Sequence, residues 1–546
     1  MSTRTVPELA PAATGPRPPR SAARTVTTAV LRQVRRGTVI VAVVCAGMSA
    51  LVVVQHRSLG GALSTASVAA LAENPAIRTL FGPPVALSDP GGFTVWRVGT
   101  GLAALVAIWA ALTATRLTRG DEEAGRWDLL MGGPLRLRSL TARVLGVVLV
   151  GAAAAGVATA VGMVLAGAGV TGSVLFGAVL AGTGMLGAAL GVLAAQLLPE
   201  RRSASGLAVA VLLAGLLARM VADGAPALGW LSWTSPFGLL GRVAPFAENR
   251  AVPLLVLVAL AAAPAAAAVA LASGRDVGGA LVAGRDRRTA RSRLLRSLPG
   301  LAVHRTGRPL TAWAAGLVAY FLLIGLLATS MTAFLRENPA FARMATQAGF
   351  AELGSVQGYV SALYSLLAIP VGAFAAARIA ALAADEAAGR LTLLYALPVS
   401  RARWAATEAA AVAAAAILLA ATTGLATWVG ASWVGARLGL GETLAGALSV
   451  VPAALLCLGA ALAALGWARS AVLAVGVLPA AGGFLLLVLA DTLDWPGAVR
   501  WLSPFAHLNA VPAEPWDAAG AAGLLTTAAV LAVAGCRRYG RRDLTT

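Results

Sequence analysis

The chain has 546 residues, 58% hydrophobic and 12% charged, with a mean hydropathy of +0.80; these values exclude a soluble globular protein and indicate an integral membrane protein. Its formal net charge of +20 rests on arginine alone, because the sequence contains no lysine, and the arginines cluster in alternate loops as the positive-inside rule requires, which argues against a nucleic-acid partner. The missing lysine also excludes a GxxxxGK(S/T) phosphate loop and hence P-loop ATP hydrolysis on this chain, and no HExxH, GxSxG or CxxC constellation is present.

Residues 1–24, rich in Pro, Ala, Ser and Arg, read as a disordered cytoplasmic tail. They lack the early apolar region of a secretory signal. Residues 25–37 place Val26, Val30, Leu31 and Val34 on one side and arginines on the other, which predicts an amphipathic helix lying on the inner membrane surface. Residues 38–273 then hold six apolar runs, near 38–54, 100–117, 144–170, 174–198, 204–221 and 251–273. A helix rising ~1.5 Å per residue needs about 20 such residues to cross ~30 Å of hydrocarbon.

The linker 274–309 carries nine arginines against Asp276 and Asp286 and is expected in the cytoplasm. Residues 310–535 repeat the six runs, near 310–329, 360–383, 405–429, 444–467, 471–489 and 518–535, and 536–546 form a basic tail. The expected fold is an all-α membrane protein of about twelve transmembrane helices in two homologous six-helix halves. Both termini then lie on the cytoplasmic side of the cell membrane.

The strongest sign of duplication is a paired motif. Asp121 to Leu140 reads DEEAGRWDLLMGGPLRLRSL, and Asp385 to Trp404, 264 positions later, reads DEAAGRLTLLYALPVSRARW. Asp121/Asp385, Glu122/Glu386, Gly125/Gly389, Arg126/Arg390, Leu129/Leu393, Leu130/Leu394 and Pro134/Pro398 match without a gap. Glu73-Asn74-Pro75-Ala76 recurs at the same offset as Glu337-Asn338-Pro339-Ala340, and Ser235-Pro236-Phe237 recurs as Ser503-Pro504-Phe505. Each motif predicts a short helix after the second span, with carboxylates near its N-terminus and arginines beyond its C-terminus. Capping alone accounts for one such helix; two at equivalent positions point to contact with a partner.

Other reactive chemistry is sparse. Cys45, Cys457 and Cys536 lie in or beside apolar runs as small hydrophobes, and His56, His304 and His507 are isolated. Arg219 and Arg378 fall near span ends, where they are expected to snorkel to the interface. No carboxylate or histidine is expected near the midplane, the usual place for proton coupling. Energy for transport must then come from another chain.

With the Asp-Glu, Gly-Arg, Leu-Leu and Pro of 121–134 and 385–398, completed by Val399, Ser400, Arg401 and Trp404, the chain resembles the permease subunits of ABC exporters of the type-2 family. More specifically, it looks like the long duplicated permeases of actinobacterial efflux systems labelled exporters of polyketide or tetronasin-type antibiotics. The first copy departs from that pattern at Gly133, Leu135 and Arg136. The resemblance implies that each short helix is a coupling helix seated in a cytoplasmic ATPase, with two ATPase copies per chain. Asp121, Glu122, Gly125, Arg126, Leu129, Leu130 and Pro134 would serve one copy, and Asp385, Glu386, Gly389, Arg390, Leu393, Leu394, Pro398 and Arg401 the other. It also implies Mg-ATP on the partner, no cofactor or metal on this chain, and a hydrophobic or amphiphilic substrate among the membrane lipids. The rival reading is a proton-coupled twelve-span carrier of the major facilitator type, whose loop signature Gly120-Asp121 through Gly125-Arg126 loosely matches.

Overall fold

A computed structural model of the chain describes residues 19–58, 78–79, 82–132, 135–224, 226–282, 293–337, 355–492 and 495–542. The repeated Glu-Asn-Pro-Ala segments, apart from Glu337, lie outside the described residues, as do Pro134 and the linker arginines 285, 287, 288 and 291. Among the described residues there is no strand. Among the same residues, twelve helices are long and apolar enough to cross a membrane. They are α1 (Pro19–Ser58), α2 (Pro90–Glu123), α3 (Leu137–Leu165), α4 (Val170–Leu197), α5 (Arg201–Gly224), α6 (Val252–Leu271), α7 (Leu298–Glu337), α8 (Val356–Ala387), α9 (Arg401–Trp433), α10 (Leu440–Trp467), α11 (Arg469–Leu487) and α12 (Ala518–Arg541). The described residues form two compact units, one of residues 19–58 and 82–282 and the other of residues 78–79 and 293–542.

In the first unit α4 is the most enclosed helix, and the main pairings are α1 on α3, α2 on α4, α3 on α4 and α6 on α4. In the second unit α10 is the most enclosed, with α7 on α9, α8 on α10 and α10 on α12. Small residues make these approaches possible. A Cβ on Gly177 would stand 2.5 Å from the Gly156 carbonyl oxygen, and one on Gly156 would stand 2.3 Å from that of Gly177. Lipid offers no hydrophobic drive for helix association, so such close contact supplies the packing instead.

The Ser-Pro-Phe echo is structural. Ser235 Oγ donates to Gly215 O at 2.6 Å and accepts from Phe237 N. Ser503 Oγ donates to Gly483 O at 2.8 Å and accepts from Phe505 N. Each serine caps the short helix that follows, with Pro at its first position where no N–H is required.

Two expectations about the basic flanks change. The segment 25–37 is continuous with the first span as α1, and Val26, Val30 and Val34 are buried in one cluster with Leu140 and Val144 of α3. Their apolar stripe is therefore covered by protein, which removes its reason to lie on a membrane surface. Likewise the helix of the seventh span starts at Leu298, so residues 298–309 of the linker belong to α7.

Candidate functional site

The two motifs fold alike, but not with their carboxylates at a helix N-terminus. The acidic residues end the preceding long helix: α2 passes through a π turn at Arg116–Gly120 into Asp121–Glu123, and α8 runs on to Ala387. A glycine in the left-handed region then reverses the chain. Gly125 has φ 69° and Gly389 φ 70°, and each donates its N–H at 3.0 Å to the carbonyl of Glu122 or Glu386. Short helices follow, Arg126–Met131 and Thr392–Tyr395. Arg126 reaches back to Asp121, its Nε donating to Oδ1 at 3.2 Å, and Arg390 Nη1 donates to Asp385 Oδ1 at 3.1 Å.

A carboxylate at a helix C-terminus opposes the macrodipole by about 0.3–1 kcal/mol. Arginines outweigh this at both motifs. Glu122 is buried and takes a bidentate pair from Arg275, Nη1 to Oε1 at 2.7 Å and Nη2 to Oε2 at 2.9 Å. Arg119 Nη1 stands 3.1 Å from its other face, and Gly278 N donates to it at 2.6 Å. Arg275 also donates to Gln196 Oε1 at 2.7 Å, while Arg119 donates to the carbonyls of Leu198 and Gly279. Such charge-assisted, forked contacts fix geometry as well as adding energy. They join the end of α2 to the chain just after α6.

The second motif makes the same connection with different residues. Buried Glu386 is paired with Arg542, at the end of α12, and accepts from Tyr539 Oη at 2.5 Å. Tyr539 and Tyr395 share a hydroxyl contact of 2.5 Å, and burial pushes the Tyr395 phenol above its ordinary value, keeping it protonated. Arg401 Nη1 donates to the Arg542 carbonyl at 2.6 Å and its guanidinium lies 5.6 Å above the Tyr395 ring. A further cluster exists here. Arg305 of α7 donates to Asp385 Oδ2 at 2.8 Å and to Glu408 Oε1 at 2.6 Å, and covers the buried Trp404 ring at 5.7 Å. Arg378 Nη2 lies 3.9 Å from Glu408.

Burial thus sorts the predicted residues. Glu122, Asp385 and Glu386 face their own unit's arginines, whereas Arg126, Leu129, Arg390, Leu393 and Pro398 are exposed. Leu129 is 84% exposed and Leu393 85%, while Trp127 and Leu391, two residues earlier, are buried. Each short helix is therefore anchored by one side chain and presents a bare leucine on the other side. Leu130 is exposed and Leu394 half-buried.

Three sequence expectations fail here. Arg219 and Arg378 do not snorkel: both are buried, Arg219 Nε lying 2.6 Å from Asp223 Oδ2. Glu408, a buried carboxylate inside α9, was not anticipated. A lone glutamate in the apolar run 405–429 was the available signal, but Arg305, its partner, lies 103 residues away.

Among the described residues, twelve helices long and apolar enough to cross a membrane, with exposed short helices at two loops, define a multi-pass membrane protein. The family model for the C-terminal domain of the multidrug efflux system permease Rv1217c matches residues 295–539. Over 487 residues the chain is 31% identical to the multidrug efflux system permease protein Rv1217c of Mycobacterium tuberculosis (strain ATCC 25618 / H37Rv), covering 88% of this chain and 87% of that one. The chain belongs to this family of efflux permeases, of the ABC-exporter type that its motifs resemble. The match favours that reading over the secondary carrier.

Proposed function

We propose that the chain is the membrane subunit of an ATP-driven exporter of hydrophobic or amphiphilic compounds, built by duplication, with both termini in the cytoplasm and two copies of a separately encoded ATPase docked on its two motifs. The observation that carries this reading is the near-equal exposure of Leu129 and Leu393 on short helices whose bases are tied down by buried carboxylates. Burying a leucine contributes about 1.5–3 kcal/mol, enough for each to act as an anchor in a partner's cleft. Arg126, Leu130, Arg390, Leu394 and Pro398 surround these anchors. The ATPase would hold Mg-ATP and supply the energy. In each unit the glutamate–arginine tie would carry a displacement of the short helix to the last span, α6 through Arg275 and α12 through Arg542.

The test is purification of the tagged chain from its native membrane. Two ATPase subunits per chain and ATP hydrolysis by the assembly are expected. Leu129→Asp or Leu393→Asp alone should lower the retained ATPase by about half, and the double variant should lose it while the chain stays in the membrane. Full retention by the double variant would rule out these leucines as the docking anchors. Reversing Glu122 and Glu386 is a poorer probe, because an arginine there would face buried arginines and disturb the fold itself.

A further inference from the structure

The first unit carries a groove of about 260 Å³ between the first half of α1 and the middle of α3. Leu31, Val39, Val147, Val150 and Ala154 form its apolar wall, with Arg32 and Arg35 beside them. We propose that this groove binds one anionic phospholipid, with its phosphate between Arg32 and Arg35 and an acyl chain laid along Val39 and Val150. This inference is independent of the ATPase reading.

Charge is the first argument. α1 contains Arg20, Arg24, Arg32, Arg35, Arg36 and Arg57 and no acidic residue along Pro19–Ser58. Arg32 and Arg35 are exposed, one turn apart, and form no ion pair among the described residues. A basic cluster at the end of a membrane helix attracts anionic headgroups by about 1 kcal/mol per arginine.

The apolar wall selects a lipid over a free anion. Below Arg35 the groove follows the helix to Val39, about 6 Å at ~1.5 Å per residue, and the exposed Val43 one turn further on extends the apolar surface for the start of an acyl chain. Val39 and Val150 are themselves exposed, and the apolar ridge continues through the exposed Val43 and Val157. The groove therefore opens sideways to hydrocarbon, and a lipid can enter without leaving the bilayer. On the same α1 segment, Val26, Val30 and Val34 pack in one cluster with Trp127 of the first motif, and Val34 also lines the groove. An occupant would stiffen the helix on which that motif rests.

The test uses the full chain, delipidated in detergent and analysed by native mass spectrometry with added phosphatidylglycerol, phosphatidylcholine of the same chains, or glycerol phosphate. One phosphatidylglycerol should be retained, with affinity about tenfold or more above that of phosphatidylcholine. Arg32→Gln/Arg35→Gln should abolish the preference, and Val150→Trp should expel the lipid with both arginines intact. Arg537→Gln/Arg541→Gln, the same charge change on exposed residues of α12, should leave it bound. Undiminished retention by Arg32→Gln/Arg35→Gln overturns the proposal. Equal loss in the α12 control would mean bulk charge alone. Retention by Val150→Trp, or equal competition by glycerol phosphate, would mean that no acyl chain occupies the groove.

Discussion

At Glu122 two guanidiniums and one backbone N–H converge on a carboxylate that water scarcely reaches. Ion pairs of this kind add little net stability compared with apolar packing, but removing one partner leaves a buried charge and costs about 3–5 kcal/mol. Glu122→Gln should therefore lower the melting temperature of the purified chain well below that of the wild type. Glu122→Gln/Arg275→Gln should recover part of the loss, since one stranded charge is gone. Asp128→Asn, on the exposed side of the same short helix, should shift stability by no more than about 0.5 kcal/mol. A Glu122→Gln melt indistinguishable from wild type would mean that the carboxylate does not organise the motif. The sequence marked Glu122 and Glu386 as a matched pair. It did not show that they face inward, because their partners Arg275 and Arg542 stand 153 and 156 residues away.

The motif as an element depends on one backbone choice. Gly125 and Gly389 hold φ 69° and 70°, and a Cβ at either would meet nothing nearer than 3.8 Å. Crowding is thus not the obstacle to substitution, and the cost is conformational. Alanine in the left-handed region is less favourable than glycine by about 1–2 kcal/mol, while asparagine tolerates it better. Gly125→Ala and Gly389→Ala should each speed hydrogen exchange in the short helix that follows, with the asparagine variants in between; exchange unchanged in both alanine variants would sink the argument. The shared spacing Gly-Arg-x-x-Leu-Leu made both short helices legible in the sequence, but not the glycine turn before them. Their polarity was misread, because the pattern does not say whether acidic residues open one helix or close the one before.

On the scale of the whole molecule the two units are alike in order of packing and unlike in charge. The half-buried Arg305 pairs with buried Asp385 and Glu408 in the second unit, and buried Arg378 stands beside Glu408. The positions 264 before Arg305, Arg378 and Glu408 are Val41, Ala114 and Val144, all buried and apolar. The second motif is therefore tied to α7 and α9 by charges, whereas Ala114 and Val144 pack in one apolar cluster with Trp127 of the first motif. Arg305→Gln should raise hydrogen exchange across residues 385–397 and leave 121–131 unchanged. Equal change at both motifs, or none, would show that the Arg305 ion pairs do not hold the second motif in place. The sequence by itself determined the membrane class, the twelve apolar runs, the basic flanks and the matched motifs, since each is written in local hydropathy or in residues a few positions apart. Only the tertiary structure decided which charges are buried, that Arg219 and Arg378 pair inside the protein, that residues 25–37 pack on α3, and that Leu129 and Leu393 are left bare. Burial and ion pairing depend on which helix faces come together across a hundred or more residues, and that is settled by packing rather than by periodicity.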